Sequence, residues 1–203
     1  MTLPRLYPIL DSACFPGSDL LLSAAEQLIS AGVTLLQFRS KSGSPRQILE
    51  TARELRKTTG TSATLIMNDR ADLALAAGFE GVHVGQDDLS PEGVRKVIGW
   101  NLWLGVSTHN PDQVSDADKT SADYIAIGPV FSTASKANPD PVVGLDGVRR
   151  SRELTNKPLV AIGGITLANC RSVIDAGADS VAVISALLPH PRKSAEEFLR
   201  ILR

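Results

Sequence analysis

Residues 9–20 read ILDSACFPGSDL. An apolar run ends here, an acid follows directly, and the chain turns through a Pro-Gly pair. In a chain that alternates strands and helices, two architectures compete at this point: an open doubly wound sheet and a closed barrel. A doubly wound dinucleotide-binding sheet carries G-x-G-x-x-G after its first strand, where glycines let a pyrophosphate approach the backbone. ILDSACFPGSDL does not match that pattern. The closed barrel is therefore expected.

Outward from this stretch, short apolar runs recur: LYPIL (6–10), VTLLQF (33–38), ATLIM (63–67), GVHV (81–84), LWLGV (102–106), YIAIG (124–128), PLVAI (158–162) and SVAVI (180–184). They are continuous rather than alternating, as strands of a parallel sheet covered on both faces should be. Helix-length amphipathic stretches separate them. Three begin with a capping residue and a proline, at Ser44-Pro45, Ser90-Pro91 and Asn110-Pro111. The cap satisfies a free amide, and proline at the first helical position loses no hydrogen bond. Others end in Ala-Gly, at Ala31-Gly32, Ala77-Gly78 and Ala176-Gly177, where glycine permits the left-handed closing turn. The last helix is expected at 193–203. Eight strand–helix units at roughly 25 residues each predict a single (β/α)8 TIM barrel, an α/β fold, with short loops.

The 203 residues are 43% hydrophobic and 21% charged, with a formal net charge of −1, which fits one domain over 1–203 with a sizeable core. This balance supplies no basic field for nucleic acid and no polybasic patch for a membrane. An anionic ligand must then be held by a local cluster of cations and amides. Cys14 and Cys170 make no metal-type spacing and fit a reduced, cytoplasmic protein with both thiols buried. The apolar stretches are too short to cross a bilayer, and MTLPRLYPIL lacks the apolar region of a signal peptide. A C2 homodimer is the default assembly.

Barrels gather their chemistry at the C-terminal ends of the strands, so the residues directly after each apolar run form the candidate site. In order these are Asp11, Gln37 to Lys41, Asn68-Asp69-Arg70, His83 with Gly85 to Asp88, Ser107 to His109, GPVFSTASK (128–136), Gly163-Gly164 and Ser185. Gly163-Gly164 and Ile184-Ser185 come after strands 7 and 8, where barrels hold phosphate on backbone amides; the alternative is that the glycines only make a tight turn. Arg39, Lys41 and Lys136 are expected to converge with Asp69 and Asp88, a set suited to a diphosphate bridged by Mg²⁺. The alternative is a group of rim salt bridges. His83, between valines, reads as a core histidine, His109 as a pocket-lining or orienting group, and His190 as solvated.

Q-x-R-x-K (37–41), NDR (68–70), GVHVGQDDL (81–89), GVSTH (105–109), GPVFSTASK (128–136), AIGGI (161–165) and VAVISAL (181–187) occur in order, and this set resembles the thiamine phosphate synthase family. The resemblance runs from about residue 6 to 188, nearly the whole chain. It implies a transferase that condenses hydroxymethylpyrimidine diphosphate with hydroxyethylthiazole phosphate and releases pyrophosphate. It also implies that Gln37, Phe38, Arg39, Ser40, Lys41, Asn68, Ser107 and Lys136 contact the pyrimidine diphosphate, and that Asp69 and Asp88 hold Mg²⁺. Thr133, Ala134, Ser135, Gly164, Ile184 and Ser185 would contact the thiazole phosphate. Of these, Arg39, Lys41, Lys136 and Ser107 are the candidate catalytic residues. Two positions depart from the family pattern: Ser40 stands where an acid is more frequent, and Ser135 where Thr is.

The alternative on the same barrel is a thiazole tautomerase, which needs the phosphate anchor and His109 but neither diphosphate nor Mg²⁺. Schiff-base aldol chemistry would need a lysine inside the barrel, and Lys136 lies eight residues beyond Gly128. A non-catalytic phosphate sensor would have no use for the two acids. Pro139-Asp140-Pro141 and Gly144 suggest that the segment after strand 6 closes over the site as a lid.

Overall fold

The computed structural model describes residues 2–133 and 140–203. All eight apolar runs are strands: β1 (Leu6–Asp11), β2 (Leu35–Arg39), β3 (Thr64–Asn68), β4 (Gly81–Val84), β5 (Trp103–Thr108), β6 (Tyr124–Ile127), β7 (Leu159–Ile162) and β8 (Ser180–Val183). Each pairs in parallel with the next, and β8 pairs back to β1 with Leu6 opposite Val181, closing the barrel. Between them run α1 (Ser18–Ser30), α2 (Pro45–Thr59), α3 (Ala71–Ala77), α4 (Pro91–Ile98), α5 (Pro111–Asp118), α6 (Gly144–Leu154), α7 (Cys170–Asp175) and α8 (Pro191–Ile201).

The continuous apolar runs have a simple cause. One face of each strand feeds a lumen cluster that includes Tyr7, Leu35, Ile66, Tyr124 and Val160, and the other packs under the helices through Leu36, Leu65, Val82 and Ile125. Both faces are buried, so the strands are mostly apolar, and the polar lumen side chains are hydrogen-bonded to one another. The three predicted caps hold. Ser44 closes a capping box with Gln47 at the start of α2, Ser90 accepts from Gly93 N, and Asn110 accepts from Gln113 N, each with proline next in the chain. The last helix starts two residues earlier than expected, at Pro191, because proline there already has helical φ. Cys170 is buried, but Cys14 is exposed. It lies in the 3-10 turn Ser12–Cys14, beyond the end of β1 and outside the sheet–helix layer, so the expectation of two buried thiols is corrected.

The opposite rim holds a device repeated three times. An acid immediately before an even-numbered strand donates its N–H to a leucine carbonyl on the preceding strand and accepts that leucine's N–H with its carboxylate. The pairs are Glu80 with Leu65, Asp123 with Leu104 and Asp179 with Leu159. Each carboxylate also receives an arginine from the helix that precedes the leucine's strand, Arg56, Arg95 or Arg152, at 2.5, 2.6 and 2.8 Å. The device ties strand, strand and helix together at the barrel's base. Arg95 is the deepest of the three, 5% exposed against 22% for Arg56. Asp123→Ala is expected to cost about 3 kcal/mol by leaving a buried guanidinium and a strand amide short of an acceptor. Glu80→Ala should cost less. Urea unfolding of the two variants checks the ranking, and a reversed order would refute it.

Candidate active site

At the C-terminal ends of the strands lies a cavity of about 630 Å³. Strand register decides which polar groups meet there. Asp11 pairs in register with Arg39 across β1 and β2, and their side chains form an ion pair in which Asp11 is almost fully buried. Asp11 also accepts the Ala13 N–H. Arg39 is thus held at the cavity wall by a buried carboxylate. Two residues on, Lys41 Nζ reaches Asp69 Oδ2 at 2.5 Å.

Asp69 directly follows β3 and is the one described non-glycine residue with positive φ, at 60°. Its N–H donates to His83 O, and the next amide, of Arg70, turns back to Asn68 O. Aspartate tolerates this left-handed backbone better than most residues, but the strain marks a site where position matters more than local comfort. Beside it on the same wall, Asp88 Oδ2 accepts the Gly85 N–H at 2.8 Å. The two carboxyls touch electrically. Burial raises the Asp69 pKa, and hydrogen bonding and charge from Asp88 raise it further against the pull of Lys41. Burial also pushes Asp88 upward, yet the Gly85 amide, Asp69 and Lys41 outweigh it and hold that carboxyl below its usual value. Two acids so close cannot both ionise freely without a cation between them.

Asn68 lines the same wall, and its Nδ2 is buried without a hydrogen-bond partner among the described residues. That donor is placed for an acceptor on a ligand. The Ser107 hydroxyl and the Gln37 amide lie deeper, at the cavity floor. Both belong to a chain of buried side chains through the lumen: Gln37 to Tyr7, Tyr7 to Tyr124 and Tyr124 to His83 at 3.0 Å each, then His83 to Ser107 at 2.8 Å. His83 is thus a satisfied lumen histidine.

Burial drives the pKa of His83 down to about 4, against a small opposing pull from the Asp88 charge. The folded protein therefore keeps His83 neutral, whereas the unfolded chain takes up a proton below about pH 6.5. Its contribution is full above that pH and is lost as the pH falls toward 4. That loss amounts to about 3 kcal/mol. Urea midpoints across this range should show it, and His83→Gln should flatten that part of the profile.

The far wall comes from β6, β7 and β8. Gly163 and Gly164 both have positive φ, at 100° and 64°. A side chain on Gly163 would strike Pro129, and one on Gly164 would come within 2.5 Å of Ser132 O. The segment after β6 crosses at this point, with Val130 N bonded to Ile162 O and Phe131 N to Gly163 O. Its return, at Val143 and Gly144, bonds back to Pro129 and Val130. Both described ends of that segment are pinned to the barrel. Thr133, Gly164, Ile184 and Ser185 line this wall, and Ser185 opens the 3-10 turn Ser185–Leu187. His109 stands between the walls, its Nδ1 donating to Gly128 O at 2.7 Å.

Most predicted site residues thus surround one cavity: Gln37, Arg39, Lys41, Asn68, Asp69, Asp88 and Ser107 on one side, Thr133, Gly164, Ile184 and Ser185 on the other. Two do not. The Phe38 side chain is buried between sheet and helices, because neighbours on a strand face opposite ways. The Ser40 hydroxyl binds Ser12 and the Ser42 carbonyl instead of facing the cavity. Ala134, Ser135 and Lys136 lie outside the described residues, as does the middle of the expected lid.

The sequence model of the family described as thiamine monophosphate synthase matches residues 6–187. The chain belongs to the thiamine monophosphate synthase family. A thiamine-phosphate synthase of Koribacter versatilis is 62% identical over 205 residues, covering 100% of this chain and 97% of that protein. One from Chloroflexus aurantiacus is 44% identical, covering 91% and 85%. Among solved structures, a thiamine phosphate pyrophosphorylase from Pyrococcus furiosus superposes with a TM-score of 0.87 at 33% identity, over 98% of this chain and 95% of that one. For this member of the thiamine monophosphate synthase family, the polar residues that sequence reasoning gives no role include Asp11, Tyr7 and Tyr124. Asp11 stands visibly at a strand end, but only register reveals that it holds Arg39.

Proposed function

We propose that this cavity forms thiamine phosphate from hydroxymethylpyrimidine diphosphate and hydroxyethylthiazole phosphate. The observation that carries the reading is the pair of mutually perturbed carboxyls, Asp69 and Asp88, with Lys41 and Arg39 on one wall, facing the amide-and-hydroxyl wall of Gly164 and Ser185. The first wall suits a diphosphate and the second a monophosphate. A thiazole tautomerase would leave the carboxylate pair without a task.

The donor set fits Mg²⁺. Asp69 and Asp88 offer hard oxygens, and no third His, Cys, Asp or Glu joins them among the described residues. An ion that keeps several waters and takes its other ligands from a diphosphate needs no more. When bound, Mg²⁺ supplies positive charge to the departing diphosphate. The chain's own residues do the rest. Arg39, oriented by Asp11, and Lys41 stabilise charge growing on the leaving group. Gln37, Asn68 and Ser107 orient the pyrimidine, and Thr133, Gly164 and the Ile184-Ser185 turn anchor the thiazole phosphate. By family resemblance, Lys136 joins the first group, and Ala134 and Ser135 join the second.

The bond from the pyrimidine's methylene carbon to the diphosphate oxygen breaks, and its electron pair leaves with pyrophosphate. The thiazole nitrogen then bonds to that carbon with its own lone pair. The electron-rich aminopyrimidine favours a carbocation-like path. Holding both partners in one cavity makes the attack effectively intramolecular. The nucleophile carries no proton, so no general base is needed.

The test is to mix both substrates with Mg²⁺ and assay thiamine phosphate and pyrophosphate. Formation of neither would end this reading. We further propose a cytoplasmic location, consistent with two free thiols, and a C2 homodimer. No helix among the described residues is long and apolar enough to cross a membrane.

A further inference from the structure

With the Gln37 amide nitrogen turned to Tyr7, counting protons gives the lumen chain a direction. The Gln37 amide nitrogen donates to the Tyr7 hydroxyl. The Tyr7 proton then goes to its remaining partner, the Tyr124 oxygen. Tyr124 has one proton of its own, and its other partner is His83 Nδ1, so Nδ1 must be the bare, accepting nitrogen. The ring proton therefore sits on Nε2 and is donated to Ser107 Oγ. Reversing a middle link would give one phenol oxygen two incoming protons and strand a third in an apolar lumen, at a cost the counted arrangement avoids.

Space for this chain is built into the backbone. His83, Gly105 and Tyr124 are neighbours in register across β4, β5 and β6. A Cβ on Gly105 would lie 2.1 Å from the Tyr124 ring and 2.4 Å from His83 Nδ1. Only glycine between them lets the two side chains meet.

We propose that Tyr7, Tyr124 and His83 are positioning residues whose one-way hydrogen-bond chain makes Ser107 a donor and Gln37 Oε1 an acceptor at the cavity floor. Because Ser107 already accepts from His83, its own proton is directed at the cavity. Because one Gln37 N–H is turned to Tyr7, the opposite end of the amide, its carbonyl oxygen, is the acceptor presented to a ligand. The two ends select an edge carrying a ring nitrogen acceptor beside an amino donor, which is the edge an aminopyrimidine presents. Pyrimidines with a carbonyl and ring N–H on that edge offer the opposite pattern in the orientation that the diphosphate fixes, and bind more weakly. The inference rests on the proposed reaction for its ligand, and the direction of the chain follows from the Gln37 amide presenting its nitrogen to Tyr7.

The test has a substrate-free part and a kinetic part. With ¹⁵N-labelled histidine, the signal absent from His83→Gln is assigned to His83, one of three histidines. It should report the Nε2–H tautomer in the wild type and in Tyr7→Phe, while Tyr124→Phe should keep that tautomer and shift the bare Nδ1 resonance, because it removes the donor to that nitrogen. An Nδ1–H tautomer in the wild type would overturn the proposal. In kinetics, Tyr124→Phe should lower kcat/KM for the pyrimidine diphosphate about tenfold, the worth of one good hydrogen bond. In a Ser107→Ala background the same change should cost less than about twofold. Effects that simply multiply would show that Tyr124 acts by packing and sink the idea. If the wild type makes no thiamine phosphate, the proposed reaction fails, and the tautomer measurement alone decides the chain.

Discussion

Asp69→Asn is expected to reduce turnover about a thousandfold, or roughly 4 kcal/mol of transition-state stabilisation, while leaving affinity for thiazole phosphate within about twofold. The substitution is chosen for the backbone. Asp69 has φ 60°, where alanine would add about 1–2 kcal/mol of strain, whereas asparagine tolerates it and keeps the side chain's shape. Only charge is removed. Asp69 balances Lys41 and shares its protonation with Asp88, so its loss leaves one carboxylate where the diphosphate site needs two. Raising Mg²⁺ should recover part of the activity, and calorimetry with thiazole phosphate alone should look like wild type. Unchanged turnover would remove the carboxylate pair from the mechanism, and lost thiazole phosphate binding would mean that the two walls are not independent.

The division of labour behind that prediction is largely readable in the sequence. Every apolar run is a strand, because a parallel barrel buries both strand faces and so writes itself as uninterrupted hydrophobic runs. Gly163-Gly164 and Ser185 are readable for a similar reason: they sit immediately after runs, where a barrel puts its ligands. The hidden part depends on register. Asp11 and Arg39 are 28 residues apart, and nothing local says that β1 and β2 align them. Tyr7 and Tyr124, 117 residues apart, look like ordinary strand residues, although Gly105 is a clue that something large lies beside it. The basal acids are visible in FEGVHV, ADYIAI and ADSVAV, one acid ahead of each even strand from the fourth onward, but their arginines come from helices that sequence alone does not orient. Phe38 shows the complementary error. A motif read as five consecutive contacts cannot put five side chains in one cavity, since a strand turns alternate residues away.

Gly164→Ala tests the other wall and should produce the opposite kinetic signature. The methyl group would sit 2.5 Å from Ser132 O and 2.8 Å from the Phe131 Cβ, on a backbone with φ 64°, so neither the residue nor its neighbours can stay in place. The crossing segment is fixed by the Phe131 N–H to Gly163 O bond at 3.0 Å, and it must shift outward. Displacing the amides and hydroxyls that face the monophosphate should raise the KM for thiazole phosphate about a hundredfold, the loss of one to two charge-assisted hydrogen bonds. Most of the pyrimidine diphosphate wall lies on β2 to β5, away from the clash, and only Lys136 shares the displaced segment, so that affinity should fall by about tenfold at most. Stability should fall as well, by about 1–3 kcal/mol for overpacking, so binding is compared at a temperature where both proteins are folded. A variant that lost both substrates equally would argue that Gly164 serves the barrel rather than the phosphate. Loss confined to thiazole phosphate, set beside Asp69→Asn, would separate the cavity into two walls that fail independently, as a reaction between two anchored phosphates requires.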